Sequence, residues 1–165
     1  MPPTVLANRV SAFTGMSAAL TGFTADAIAP PLDPTGLATA FLETADTLAG
    51  QDVVNQLLAQ FAALQGQPAQ QIADALLGIA PPASGPTVQL ARSLVKLWYL
   101  GSLYPLNSTS AFDGTTVSAN AYIRGLVWRA AQAHPMGYSE FSFGYWSDPP
   151  PTLADFGVDV PGGQS

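Results

Sequence analysis

The stretch from Val88 to Tyr104, VQLARSLVKLWYLGSLY, constrains the fold more than any other part of the chain. Leu90, Leu94, Leu97 and then Leu100 or Gly101 recur at three- and four-residue spacing, which places them on one face of a helix. Val88, Val95, Trp98 and Tyr99 carry apolar surface well beyond that stripe. Arg92 and Lys96 interrupt it four positions apart, sharing one polar edge where they slightly repel each other. A helix this apolar has to be covered on more than one side. The spacing therefore predicts a central helix surrounded by the rest of the chain or by another protein.

The segments around it also read as helices. Residues 4–20 carry Val5, Leu6, Val10, Phe13 and Met16 at helical spacing, and residues 21–31 read as a loop closed by Pro30-Pro31. Asp33-Pro34 offers a carboxylate N-cap followed by proline at the first helical position, ahead of Leu37, Phe41, Leu42, Ala45 and Leu48. Gly50 stops that helix, and Asp52 is placed to cap the next, with Val53, Val54, Leu57, Leu58, Phe61 and Leu64 on its apolar side. Pro68 opens a short helix through Ile72, Leu76 and Leu77. The PPASGP run at 81–86 then separates residues 4–80 from the central helix. A polar connection follows to Val117, and Ser118 begins a helix carrying Tyr122, Ile123, Leu126, Val127 and Ala130 to about Ala133, where Pro135 stops it. No strand pattern and no fixed-period repeat is expected. The fold class predicted is all-α, one domain over residues 1–165. It is a bundle of five or six helices with an extended, aromatic- and Pro-rich C-terminal tail over residues 134–165.

That tail places Tyr138, Phe141, Phe143, Tyr145 and Trp146 within nine residues before Asp148-Pro149-Pro150-Pro151. Two readings stand side by side: it folds back to cap the bundle, or its aromatics anchor a partner, as interface aromatics do.

Composition narrows the function. Charged residues are 10% of 165 against 48% hydrophobic, well below the usual quarter, so the surface is either Ser/Thr/Gln/Gly-rich or covered by a partner. Eleven carboxylates against five cations give a net charge of -6, which argues against binding nucleic acid by phosphate neutralisation. The absence of cysteine excludes thiolate nucleophiles, disulfides and Cys-ligated clusters within the chain. His134 is the one histidine and, ahead of a proline, fits a helix cap or surface position. Glu43 and Asp46 are the closest helical carboxylates and are expected on a solvent face. Catalytic, cofactor-binding and metal-binding residues are not expected in this chain. Arg124 and Arg129 flank Trp128, either as solvated cations or with one paired to an acidic group on a partner. The opening Met1-Pro2-Pro3 shows no basic region followed by an apolar one, so no secretory signal is expected there. No apolar run reaches membrane-spanning length.

Three pieces, in order, resemble the small (gamma) subunit of bacterial membrane-associated FAD-dependent sugar dehydrogenases. These are the sorbitol, fructose and glucose dehydrogenases with a GMC-type flavoprotein partner. The pieces are QLARSLVKLWYLGSLY at 89–104, with its Trp-Tyr-x-Gly; AYIRGLVWRAAQAHPMGY at 121–138; and GYWSDPP at 144–150. Leu32-Asp33-Pro34 is compatible with the family. Over roughly residues 87–150 the resemblance is specific; before that it is architectural.

The resemblance implies a non-catalytic subunit, holding no cofactor, that supports folding, stability and export of a flavoprotein catalytic subunit. FAD and an iron–sulfur cluster are then expected in the partner, with electrons passing to a cytochrome c subunit or quinone. The implied location is periplasmic, membrane-associated through partner subunits, by twin-arginine export whose signal these residues do not contain. Ser139 stands where some members place cysteine, so attachment here is expected to be non-covalent. In a bacterial chain the Asn107-Ser108-Thr109 sequon has no glycosylation meaning. The residues expected at the partner interface are Trp98, Tyr99, Arg124, Trp128, Tyr138, Phe141, Phe143, Tyr145 and Trp146. A free-standing helical module that grips a ligand or peptide is the alternative.

Overall fold

The computed structural model describes residues 3–30, 35–110 and 112–137, with side chains from Val5 onward. Residues Met1–Ala133 form one compact unit and His134–Ser165 another. In the first, α1 (Pro3–Thr21), α2 (Ala25–Ile28), α3 (Leu37–Ala49), α4 (Gln51–Ala63), α5 (Ala69–Leu76) and α6 (Pro86–Leu100) precede a two-residue ladder. The ladder pairs β1 (Ser102–Leu103) antiparallel with β2 (Thr115–Thr116), Ser102 opposite Thr116. Two short helices follow, α7 (Ala119–Ile123) and α8 (Leu126–Ala130). The architecture is an all-α bundle with five helices of eight residues or more among the described residues. None of its described helices is long and apolar enough to cross a membrane.

The central helix holds its expected place. Gly85 precedes it in a backbone geometry suited to glycine, Pro86 takes its first position, and Gly101 ends it in the left-handed region at φ 66°. It therefore stops four residues earlier than the apolar spacing suggests. Val88, Leu90, Ala91, Leu94, Leu97 and Trp98 are buried, and α6 packs against α1, α3, α4, α5, α7 and α8. Its three buried leucines, Leu90, Leu94 and Leu97, each contribute about 2 kcal/mol when taken from water. Phe13 and Met16 of α1, Phe41 and Leu42 of α3 and Leu57 of α4 complete a core around it.

Elsewhere the boundaries shift for local reasons. The α3 N-cap is Gly36, at φ 58°, and not Asp33, which lies outside the described residues with Pro34. Gly50 ends α3 and begins α4, so Asp52 falls in the first turn, where its charge suits the helix dipole without capping it. The loop expected over 21–31 contains α2, whose N-cap Thr24 accepts a hydrogen bond from Ala27 N through its Oγ1 at 3.3 Å. Asp46 does not face solvent: both its oxygens accept from Arg9 at 2.8 and 2.9 Å, and Arg9 Nε donates to Asn55 Oδ1 at 3.1 Å. This group ties α1, α3 and α4 together and raises the Arg9 pKa, chiefly through the hydrogen bond to Asp46. In the second unit, His134 is exposed, with Nδ1 3.2 Å from Pro135 O.

Candidate partner-binding cleft

The predicted helix over 118–133 is two helices with a step between them at Arg124-Gly125. Ser118 Oγ accepts from Ala121 N at 3.0 Å and caps α7, as its sequence position suggests. The break has a tertiary cause. A Cβ on Gly125 would sit 2.7 Å from Tyr99 O, so α8 lies against the end of α6 only because that position is bare. Trp128 Nε1 then donates to Tyr122 O at 2.8 Å, taking a carbonyl that a continuous helix would have used. The Tyr122 and Trp128 rings meet edge to face at 5.4 Å.

At the end of α6, Gly101 makes the matching contact with α7. Its ideal Cβ would lie 2.4 Å from Ala121 C and O, so the end of α6 and the body of α7 touch backbone to backbone. The Trp-Tyr-x-Gly sequence acquires a physical meaning: tryptophan into the core, tyrosine outward to a neighbouring helix, glycine at the crossing. Tyr99 OH donates to Thr21 O at 2.9 Å, and its ring meets Phe23 edge-on at 6.2 Å.

Trp98 belongs to this chain's own core, against the expectation that it faces a partner. It is 2% exposed, with its ring edge-on to Phe41 at 4.7 Å and tilted against Phe13 at 6.4 Å. Its Nε1 has no hydrogen-bond partner; Ser17 Oγ is the other buried side-chain polar atom in that state among the described residues.

These elements enclose a cleft of about 260 Å³, which α2, α6, α7 and α8 border with the connection on either side of the undescribed residues 31–34. Trp98 forms part of its lining, with Arg124 and Trp128 from the α7–α8 step and Asp26 and Ile28 from α2. Arg129 also lines it and donates from Nη1 to Ala27 O at 2.8 Å, which closes the cleft across the bundle. Of the four described residues expected at a partner interface, Trp98, Arg124 and Trp128 line one cavity, Trp98 from the core side, while Tyr99 is not among its lining residues. Tyr138, Phe141, Phe143, Tyr145 and Trp146 lie outside the described residues.

Recognition is the chemistry this lining supports. Arg124 is exposed and can offer its fork of donors to a carboxylate. Asp26 can accept, and the indoles provide apolar walls. No group of three or more His, Cys, Asp or Glu side chains among the described residues could hold a metal ion. Asp26, Ile28 and Phe112 were not singled out by the sequence. Phe112 is 97% exposed in the connection between the strands, a bare aromatic of the kind that anchors interfaces. The Thr24-Ala25-Asp26 capping signal was available in the sequence; the exposure of Phe112 was not. Comparison with models of known protein families, with curated proteins and with solved structures finds no match to this chain.

Proposed function

We propose that this chain is a non-catalytic accessory subunit that binds the flavoprotein of an FAD-dependent sugar or polyol dehydrogenase and supports its folding, stability and export. The observation that carries it is the interlock of two stretches bearing the family resemblance, 89–104 and 121–138. Gly101 and Gly125 let them touch at backbone level, and Trp98, Arg124 and Trp128 come together at one cleft. The scarcity of charge, 10% of residues, suits a surface completed by another protein. A permanent complex of that kind buries on the order of 2,000 Å² or more. FAD and an iron–sulfur cluster belong in this proposal to the partner, with a cytochrome c subunit as a further member and the periplasm as the compartment.

A tagged pull-down from the native host, with an absorbance spectrum of the eluate, tests it. A co-eluting flavoprotein that reduces a dye on addition of a sugar or polyol is the expected result. A colourless, lone 17.1 kDa monomer sinks the subunit reading. The 260 Å³ cleft, just below the volume range of small-molecule sites, would then favour a free-standing binding module.

A further inference from the structure

On the other side of α6 from its core face lies a recess of about 350 Å³, bounded by the helix and the 105–109 turn. Both walls are fixed by hydrogen bonds. Ser93, buried on α6, donates from Oγ to Tyr104 O at 2.6 Å, which fixes the chain entering the turn. Ser108 N donates to Pro105 O at 2.9 Å, and Ser108 Oγ lies 2.9 Å from Asp113 Oδ2. The cations are held as well. Arg92 donates from Nε and Nη2 to Leu77 O at 3.0 and 2.8 Å, which orients the guanidinium and leaves Nη1 for another acceptor. Lys96 Nζ sits 4.6 Å from the centre of the Tyr104 ring.

Among the described residues neither cation has a carboxylate partner; the ion pair there is Arg9 with Asp46. Among the described residues no carboxylate lines the recess itself, Asp113 standing behind the lining Ser108, whereas Gln89, Asn107 and Thr109 add amide and hydroxyl donors. Two like charges one helical turn apart repel, and an anion between them converts that repulsion into attraction.

We propose that this recess binds a small oxyanion, a phosphoryl or sulfo group, through Arg92 and Lys96, with Asn107 and Thr109 contributing neutral donors. The site is separate from the partner cleft and does not depend on the accessory-subunit proposal. The phosphoryl group could belong to a soluble molecule or to a lipid headgroup, since the donor set is the same for both.

The test is a titration of the full-length chain with inorganic phosphate against chloride at matched ionic strength, followed by backbone amide NMR shifts. Saturating shifts concentrated at residues 89–96 and 105–109 are expected, with affinity reduced about tenfold in Lys96→Gln through loss of a charge-assisted bond. Arg92→Gln should weaken it similarly but also removes the bond to Leu77 O, so Lys96→Gln is the cleaner variant. Shifts that do not saturate, or that Lys96→Gln leaves unchanged, overturn the proposal. Co-sedimentation with phosphatidylglycerol but not phosphatidylcholine vesicles, lost in Lys96→Gln, assigns the group to a lipid. Saturation by phosphate without sedimentation assigns it to a soluble ligand.

Discussion

Gly101 and Ala121 approach so closely that a methyl group on the glycine would lie 2.4 Å from the Ala121 carbonyl carbon and oxygen. The glycine also sits at φ 66°, where an L side chain costs about 1–2 kcal/mol. Adding the displacement of packed backbone, Gly101→Ala should destabilise the fold by about 3 kcal/mol. Urea denaturation measures it; a loss under about 1 kcal/mol means that α6 and α7 do not cross at this distance.

Trp98 separates volume from polarity. Trp98→Ala should cost about 4 kcal/mol, as large-to-small changes in a packed core do. Trp98→Phe removes volume too, but also deletes a buried N–H that has no acceptor, which offsets about 1–3 kcal/mol. The Phe variant is therefore expected within about 1 kcal/mol of the parent. A loss comparable to that of the Ala variant would mean the indole nitrogen has a partner after all.

The Arg9–Asp46 pair is 11% and 15% exposed, so removing the cation strands a carboxylate largely out of water. Arg9→Met should lower stability by about 2 kcal/mol. The sign of its pH dependence follows from the raised Arg9 pKa. A raised folded-state value gives stabilisation that is fully present below the ordinary arginine range and lost only as pH climbs through the still higher folded value. The difference in unfolding free energy between parent and variant should accordingly stay level from about pH 7 to pH 10. A decline across that interval would show that Arg9 is not the group being held charged.

Arg124 is exposed on the rim of the α7–α8 step, and charge reversal there should leave the fold within about 0.5 kcal/mol of the parent. Under the accessory-subunit proposal, Arg124→Glu should nonetheless cut co-purification of the flavoprotein about tenfold or more. Full recovery of the complex with an unchanged melting curve would remove Arg124 from the interface.

Much of the bundle was legible in the sequence because helical burial repeats locally. Phe13 and Met16, Leu57 and Phe61, and the Leu90–Leu94–Leu97 row all lie in the core that their spacing implies. What escaped prediction depends on distant partners. Gly125 is only a weak local sign of a helix break; the requirement for it comes from Tyr99 O, on another helix. The β1–β2 ladder is two residues per strand, too short to display a period. Trp98 and Tyr99 are adjacent aromatics with opposite fates, one in the core and one hydrogen-bonded to Thr21 O, as a rotation of about 100° per residue dictates. Arg124 and Trp128, singled out in the sequence for another reason, line the cleft, but the contribution of α2 was not anticipated, because a four-residue helix has too little apolar pattern to declare itself.

The hydrogen bond from Arg129 to Ala27 spans 102 positions of sequence. At synthesis rates of about 5–20 residues per second, α2 emerges roughly 5–20 seconds before the arginine that reaches back to it. Throughout that interval α1, α3, α4 and α5 can begin to assemble, but the cleft has no far wall. A protein that recognises this cavity therefore cannot engage a nascent chain that has stopped short of α8. The order of the sequence itself makes this cleft the last part of the bundle to be completed.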